Sequence, residues 1–425
     1  MSKLYQKFTF KNGLRLVTVP MKNTQAVTVL VLVGTGSKYE TKGINGISHF
    51  LEHMLFKGTK KRPTSLDVSL VLDKIGGENN AFTDREQTGY YAKVDAKHLD
   101  TAIDWISDIF LNSKFDSREI EKEKGVIIEE INMYLDEPRR YVGTLWNKLL
   151  YGDQPAGWDI AGTEETIKNI KRNDFINYLK NHYSASNTVM VVAGKIDNLN
   201  KLKKDIENRF KTTNHKKSQD RLGVVFSQNK PQKLIHFKKT DQAHLCLGVR
   251  SYNIFHKDIY VLNVLTSILS GGFSSRMLIE IREKRGLAYY VGTSNYSNLD
   301  NGCLVTRAGV NNSKADEATI EILKQYKLIK NKKVSAQELR KAKDYIKGRA
   351  ILGMESSDDW ASFYGDQELF ENKILTLEEK LAKIEAVTAE DVQRVAKDIF
   401  KPEKLNLALI GPFKNKKRFQ NLLDL

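Results

Sequence analysis

The spacing of apolar residues in the first half of the chain predicts strands and helices in alternation. Short apolar runs of strand length flank an Asn12-Gly13 turn and recur downstream, while other segments repeat apolar residues three and four apart. The predicted strands span 8–10, 14–19, 27–33 and 88–94, and the predicted helices span 46–56, 65–75, 99–111 and 117–134. This order predicts an α+β fold in which helices pack mainly on one face of a mixed, mostly antiparallel sheet.

Two segments about 200 residues apart share one pattern. Asp174 and Asp391 each have an Ile seven residues before them, an aromatic residue nine after them and a Gly twenty after them. Each segment predicts an amphipathic helix followed by a short apolar strand that ends at Gly. A helix followed by a strand is common, so coincidence is an alternative, but the matched offsets favour two homologous α/β-layer repeats.

The length of 425 residues is too great for one compact core, so more than one domain is expected. Residues 212–220 are polar and suit an exposed linker after the first repeat. We therefore predict an N-terminal repeat at 1–213, a linker at 214–232 and a C-terminal repeat at 233–425.

Composition narrows the class of protein. Lys and Arg number 68 against 52 Asp and Glu, a net charge of +16, but these charges are interspersed and no motif that reads a nucleic-acid groove accompanies them. We therefore expect no nucleic-acid partner. No apolar run approaches the length of a transmembrane helix and residues 1–10 lack a signal core, which predicts no membrane partner and a cytoplasmic location. Cys246 and Cys303 lie in apolar runs, as expected of buried free thiols in a reducing compartment.

The sequence from His49 to His53 is the strongest indication of chemistry. It reads His-Phe-Leu-Glu-His, and on a helix two histidines four residues apart lie on one face, where both can reach a single Zn²⁺. Glu52 lies beside that face, within reach of a water at the metal. This order is the inverted zinc-peptidase motif. Because apolar residues surround it, two core histidines are the alternative, but the Glu between them favours a metal site.

A catalytic zinc needs a third protein ligand, and the helix at 117–134 offers candidates. Glu123, Glu129 and Glu130 compete on spacing alone, and a plain charged helix face is the alternative for all three. Glu123 and Glu130 are seven residues apart and so share a face. That spacing suits one ligand together with one carboxylate that orients a ligating histidine.

The motif and the Met-Leu-Phe-Lys-Gly-Thr sequence at 54–59 resemble the active-site helix of the pitrilysin family, which includes insulin-degrading enzymes and mitochondrial processing peptidases. The resemblance covers nearly the whole chain. In that family the third ligand follows the second His by 77 residues and a further Glu precedes that ligand by seven. The resemblance therefore implies Glu130 as the ligand and Glu123 as the orienting carboxylate.

The resemblance also implies contacts with substrate. Asn80, Ala81 and Phe82 resemble an edge strand that pairs with an extended peptide, although a turn that leads into a strand is the alternative. Arg282 and Tyr289 resemble a pair, seven residues apart, that meets the substrate from the second repeat. The Gly-rich run at 271–276 lacks the Gly-Lys-Ser/Thr ending of a phosphate loop.

The two-repeat length resembles the short members of the family and the processing-peptidase beta subunit. The resemblance implies a metalloendopeptidase with one Zn²⁺ per chain, in which Glu52 activates the attacking water and Glu123, Arg282 and Tyr289 assist. Peptides or unfolded polypeptide segments would be cut inside the closed chamber of a clamshell-like homodimer. A heterodimer with an inactive homologue is an alternative to the homodimer, and a non-catalytic binding or assembly subunit is an alternative to the enzyme.

Overall fold

The computed structural model describes residues 4–213, 220–415 and 417–425, and none of the helices within these ranges is long and apolar enough to cross a membrane. Part of the predicted linker, 214–219, lies outside the described residues. The chain divides into two compact units, each with its own sheet and core. The first unit consists of the described parts of Met1–Asn132, Asp159–Leu222 and Gly353–Thr376, and the second of Met133–Trp158, Gly223–Leu352 and Leu377–Leu425.

The first unit is built on a six-stranded sheet. Its strands are β1 Gln6–Thr9, β2 Arg15–Pro20, β3 Ala26–Val33, β4 Glu78–Thr83, β5 Thr88–Asp95 and β6 Thr188–Gly194. They lie in the order β1-β2-β6-β3-β5-β4, and of the neighbouring pairs only β2 and β6 run parallel.

The second unit contains a five-stranded sheet. Its strands are β7 Gln232–Phe237, β8 Gln242–Arg250, β9 Ala288–Ser297, β10 Gly302–Asn311 and β11 Leu405–Gly411. They lie in the order β7-β11-β8-β10-β9, and β7 and β11 are the parallel pair. Apart from β1, the two sheets have the same strand order and the same orientations, which confirms the predicted repeat.

The α-helices are named in chain order. They are α1 Ile47–Leu55, α2 Ser65–Asp73, α3 Leu99–Asn112, α4 Ser117–Asp136, α5 Pro138–Tyr151, α6 Glu164–Asn169, α7 Arg172–His182, α8 Leu199–Phe210, α9 Ile259–Ser270, α10 Ala315–Asn331, α11 Ala336–Leu352, α12 Ser357–Phe370, α13 Leu377–Glu385 and α14 Ala389–Ile399. The repeated sequence pattern falls on α7 with β6 and on α14 with β11. At the start of these helices Asp174 and Asp391 accept the backbone N–H groups of Lys171 and Thr388, at 2.8 and 3.1 Å. The two aspartates are therefore matched helix caps.

The predicted elements of the first half are confirmed to within two residues at each end. The turn between β1 and β2 contains Gly13 at φ +87°, a conformation that favours glycine, and its N–H donates to the carbonyl of Phe10 at 2.9 Å. Cys246 and Cys303 are buried and are not disulfide-bonded, as predicted.

Helices cover both faces of each sheet, one face with several helices and the other with a single one. In β3, Val29 and Val31 face the helical layer of the first unit, whereas Leu30 and Leu32 pack against α12. This two-sided burial explains why β3 is apolar throughout. In the second unit α5 takes the place of α12.

Each compact unit is built from several separate segments of the chain, so the units do not correspond to a single cut at the linker. Helix α5 lies within the predicted N-terminal repeat but belongs to the second unit. Helix α12 lies within the predicted C-terminal repeat but belongs to the first unit. The boundaries 1–213, 214–232 and 233–425 follow the order of the chain and stay a prediction about the extent of the repeats.

Candidate metal centre

Helix α1 separates an apolar face from a polar one. Phe50, Leu51 and Met54 are fully buried in the core of the first unit. The side chains of His49 and His53 are 13% and 22% exposed, so they lie at the edge of that core rather than within it. The helix therefore holds two imidazoles on its accessible side.

Glu130 on α4 meets both histidines. Its Oε2 atom lies 3.6 Å from Nε2 of His49 and 3.7 Å from Nε2 of His53, and the two Nε2 atoms are 3.2 Å apart. In a tetrahedral zinc site with bonds of about 2.0–2.1 Å the donor atoms are roughly 3.3 Å from one another. The chemistry and spacing of these three donors therefore suit zinc, and they are the only group of metal-ligand type found among the residues that the structure describes.

Glu123 holds His53 in place. The Nδ1–H of His53 donates to Oε1 of Glu123 at 2.8 Å, and Lys57 Nζ lies 2.6 Å from Oε2 of the same carboxylate. Both oxygens of this buried glutamate are thus engaged, whereas Glu129 is exposed. A carboxylate on the far nitrogen fixes the tautomer that presents Nε2 to a metal.

The surroundings of the two histidines shift their pKa values in opposite directions. Burial, reinforced by the nearby His53, lowers the pKa of His49 to about 4, which favours its neutral form. Burial also opposes charge on His53, but the hydrogen bond and negative charge of Glu123 outweigh it and raise the pKa. Neutral imidazole is the form that ligates a metal.

Glu52 is held by an element outside α1. The Oγ1 hydroxyl of Thr83 on β4 donates to its Oε2 at 2.6 Å. Burial raises the pKa of Glu52, and the Thr83 hydrogen bond partly offsets this. A carboxylate with a raised pKa is suited to taking up a proton near neutral pH.

The predicted substrate residues of the first unit lie on β4, which is the last described strand of its sheet and pairs with β5. Asn80 is exposed, and its Oδ1 accepts the backbone N–H of Ala81 at 2.9 Å. Ala81 packs on the core, and Phe82 is partly exposed with its ring over Gly89. These residues therefore do form an edge strand rather than a turn.

The predicted pair Arg282 and Tyr289 belongs to the second unit. Arg282 lies in a π-helical turn, Leu278–Glu283, and its side chain is partly exposed with Nε 3.6 Å from Glu283. Tyr289 is 77% exposed on β9, the end strand of its sheet. Both side chains are accessible, and their contact with substrate stays a prediction.

Two residues, Lys57 and Thr83, contact the carboxylates of this site although the sequence predicted no role for them there. Lys57 stands four residues after His53, a spacing that could have placed it near the same carboxylate. Thr83 meets Glu52 only because β4 lies beside α1, a tertiary contact that the local pattern does not encode.

Two family descriptions match successive parts of the chain. Residues 15–164 match Insulinase (Peptidase family M16), and residues 169–346 match the Peptidase M16 inactive domain. Together with the full-length relatives that follow, these matches show that the chain belongs to peptidase family M16.

The curated relatives extend over nearly the whole chain. An uncharacterized zinc protease of Bacillus subtilis is 37% identical over 416 residues, which is 97% of this chain and 99% of the relative. An uncharacterized zinc protease of Streptomyces coelicolor is 31% identical, covering 97% of this chain and 90% of the relative. One from Rickettsia bellii is 33% identical, covering 95% and 96%.

Solved structures agree on the fold. A protease from Helicobacter pylori superposes with a TM-score of 0.90 at 26% identity, over 96% of this chain and 99% of that one. A Pseudomonas fluorescens structure titled peptidase M16 inactive domain has a TM-score of 0.88 at 16% identity, over 96% and 98%, and bears on the fold alone.

Proposed function

We propose that this chain is a zinc-dependent endopeptidase whose ligands are His49, His53 and Glu130. The observation that carries the proposal is the convergence of two imidazole nitrogens and one carboxylate oxygen within 3.7 Å of one another. Membership of family M16 and relatives named zinc proteases support the same chemistry. One Zn²⁺ per chain is expected because the described residues contain one such donor set.

Zinc, when bound, lowers the pKa of a water toward about 7 and polarises the scissile carbonyl. The protein's own groups then manage the proton. Glu52 takes the proton from the attacking water and delivers it to the leaving amine, a role supported by its raised pKa and by the hydroxyl of Thr83 that orients it. Glu123 keeps His53 in its ligating tautomer, and Lys57 keeps Glu123 charged.

The substrate would bind as an extended peptide. Among the described strands β4 is the last in its sheet, so backbone groups near Asn80, Ala81 and Phe82 are suited to pairing with an added strand. Arg282 and Tyr289 would donate hydrogen bonds to substrate carbonyls from the second unit. Peptides or unfolded polypeptide segments are the substrates that such pairing accepts.

We further propose that two copies form a clamshell-like homodimer around a closed chamber, because each chain carries a full donor set and its own Glu52. A heterodimer with an inactive homologue is the alternative, and the mass of the purified chain in solution decides between them. Cys246 and Cys303 are buried and are not disulfide-bonded, which is in keeping with a cytoplasmic location.

The test uses the purified full chain and a library of fluorescence-quenched peptides. We expect cleavage that a zinc chelator abolishes and that added Zn²⁺ restores. A folded chain that neither binds zinc nor cleaves any peptide would overturn the proposal and favour a non-catalytic binding or assembly subunit.

A further inference from the structure

The helix that carries the two histidines begins without a side-chain cap of its own. Its N-cap residue is Gly46, at φ +97°, so the N–H groups of the first turn receive no side-chain acceptor from that position. A Cβ at Gly46 would lie 2.7 Å from the carbonyl oxygen of Ala161. The usual capping residues, Ser, Thr, Asp and Asn, are therefore excluded here by space as well as by backbone conformation.

Glu40, in the loop after β3, supplies the missing cap. Its Oε2 accepts the backbone N–H of Gly46 and the side-chain amide of Asn45, both at 2.8 Å, and its Oε1 accepts the backbone N–H of Ser48 at 2.8 Å. The glutamate is 3% exposed, and both of its oxygens are used. A carboxylate at this end of a helix also interacts favourably with the helix dipole.

The same turn is tied to two other elements. The hydroxyl of Ser48 lies 2.7 Å from that of Tyr178 on α7, and the amide of Asn45 also donates to the carbonyl of Asp159 at 3.0 Å. Glu40 thus stands at the centre of a polar network that fixes where α1 begins.

The two candidate histidine ligands depend on this network to different degrees. His53 is oriented directly by Glu123, through Nδ1. Nδ1 of His49 is buried and has no hydrogen-bond partner within the part of the chain that the structure describes. Because His49 directly follows Ser48, its position relies on the first turn of α1.

We propose that Glu40 is a positioning residue for the metal centre, which caps α1 and thereby places His49 for zinc. This inference rests on the proposed zinc-peptidase function. In this inference His49 is positioned through the backbone of α1, which Glu40 caps, whereas His53 is positioned through its own side chain, which Glu123 contacts.

The experiment measures zinc affinity of the full chain by competition with a chromophoric chelator, together with amide hydrogen exchange. Glu40→Gln replaces one acceptor oxygen with an NH2 donor at nearly constant volume. We expect about a tenfold or greater loss of zinc affinity, the range found for groups that support metal ligands, and faster exchange at the start of α1.

Glu368→Gln is the matched control, since Glu368 is equally buried in the same unit but accepts from Lys7 and Arg15, away from α1. It should lower stability without altering zinc affinity. If Glu40→Gln does not fold, Asn45→Ala removes one donor to the Glu40 carboxylate and should weaken zinc binding in the same direction.

The possible outcomes separate this inference from the proposed function. Wild-type affinity in the variant at Glu40, or in its substitute at Asn45, would overturn the inference while leaving the zinc peptidase intact. An equal loss in Glu40→Gln and Glu368→Gln would also overturn it, since the effect would then be one of general stability. A wild-type chain that binds no zinc would overturn the proposed function itself.

Discussion

The two units of the molecule have sheets of the same design, but among the described residues only the first unit contains a candidate metal centre. Between β3 and β4 the first unit places α1, with two histidines and a glutamate on one side. Between β8 and β9, the corresponding strands of the second sheet, the chain forms α9, which contains neither histidine nor carboxylate. The apolar strands that form the two sheets thus do not determine whether a unit can bind a metal. That capacity depends on a few polar residues on one helix.

The difference extends to what surrounds each helix. Helix α1 faces Glu123, Glu130 and Thr83, each of which meets a polar group on it. The polar side chains of α9 bond to neutral groups, as when Thr266 donates to the carbonyl of Leu262 within the helix and Ser267 donates to the carbonyl of Ala342 on α11. Polar groups near a core must be paired, so a metal centre requires changes on several elements together.

The largest expected effect comes from removing a proposed ligand in the first unit. His53→Ala should reduce zinc from one per chain to none and abolish cleavage, because two remaining protein ligands do not hold a catalytic zinc. Elemental analysis of the purified chain measures this. His256→Ala, which removes a histidine from the second unit, should retain full zinc; the opposite pattern would reverse the assignment of the two units.

The next effect separates metal binding from catalysis. Glu52→Gln should keep one zinc per chain but lower kcat by about 10²–10⁴, because it removes the group that accepts the proton. The control is Glu129→Gln, which alters an exposed glutamate beside Glu130. Full activity in the Glu52 variant, or loss of zinc in the Glu129 variant, would show that the roles are wrongly assigned.

A smaller effect is expected at the carboxylate that orients His53. Glu123→Gln should weaken zinc binding about 10–100-fold, the range seen when such a partner is lost. Lys57→Met should act in the same direction but less strongly, because the carboxylate remains. Chelator competition gives both affinities, and an unchanged value for Glu123→Gln would mean that His53 needs no partner.

The smallest effect tests the contribution of the second unit. Arg282→Ala should leave zinc unchanged and lower kcat/KM about tenfold, which is the loss of one charge-assisted hydrogen bond worth roughly 1.5 kcal/mol. Arg285→Ala is the control, since Arg285 pairs with Glu280 and Glu321. Equal activities of the two variants would remove Arg282 from the substrate site.

Local pattern predicted most of the fold because strand and helix periods are local properties. The hairpin, the helix from Gly46 and the matched caps at Asp174 and Asp391 all follow from residues within about twenty positions of one another. The placement of α5 and α12 was not predictable in this way. An apolar helix face shows that burial is needed but does not specify which sheet provides it.

In the candidate site, too, the features set by local sequence were predictable and those set by tertiary contacts were not. The spacing of His49 and His53 on one helix is local, so the sequence predicted that they share a face. The choice among Glu123, Glu129 and Glu130 needed either the family resemblance or the structure, because one helix carries all three. Thr83 and Glu40 act through contacts between distant segments and have no local signature.

The most direct test is zinc K-edge anomalous diffraction from crystals of the full chain. We predict one strong peak per chain, within bonding distance of His49 Nε2, His53 Nε2 and a carboxylate oxygen of Glu130. No peak at these atoms in zinc-supplemented crystals, or a peak elsewhere in the chain, would contradict the metal centre on which the proposed function depends.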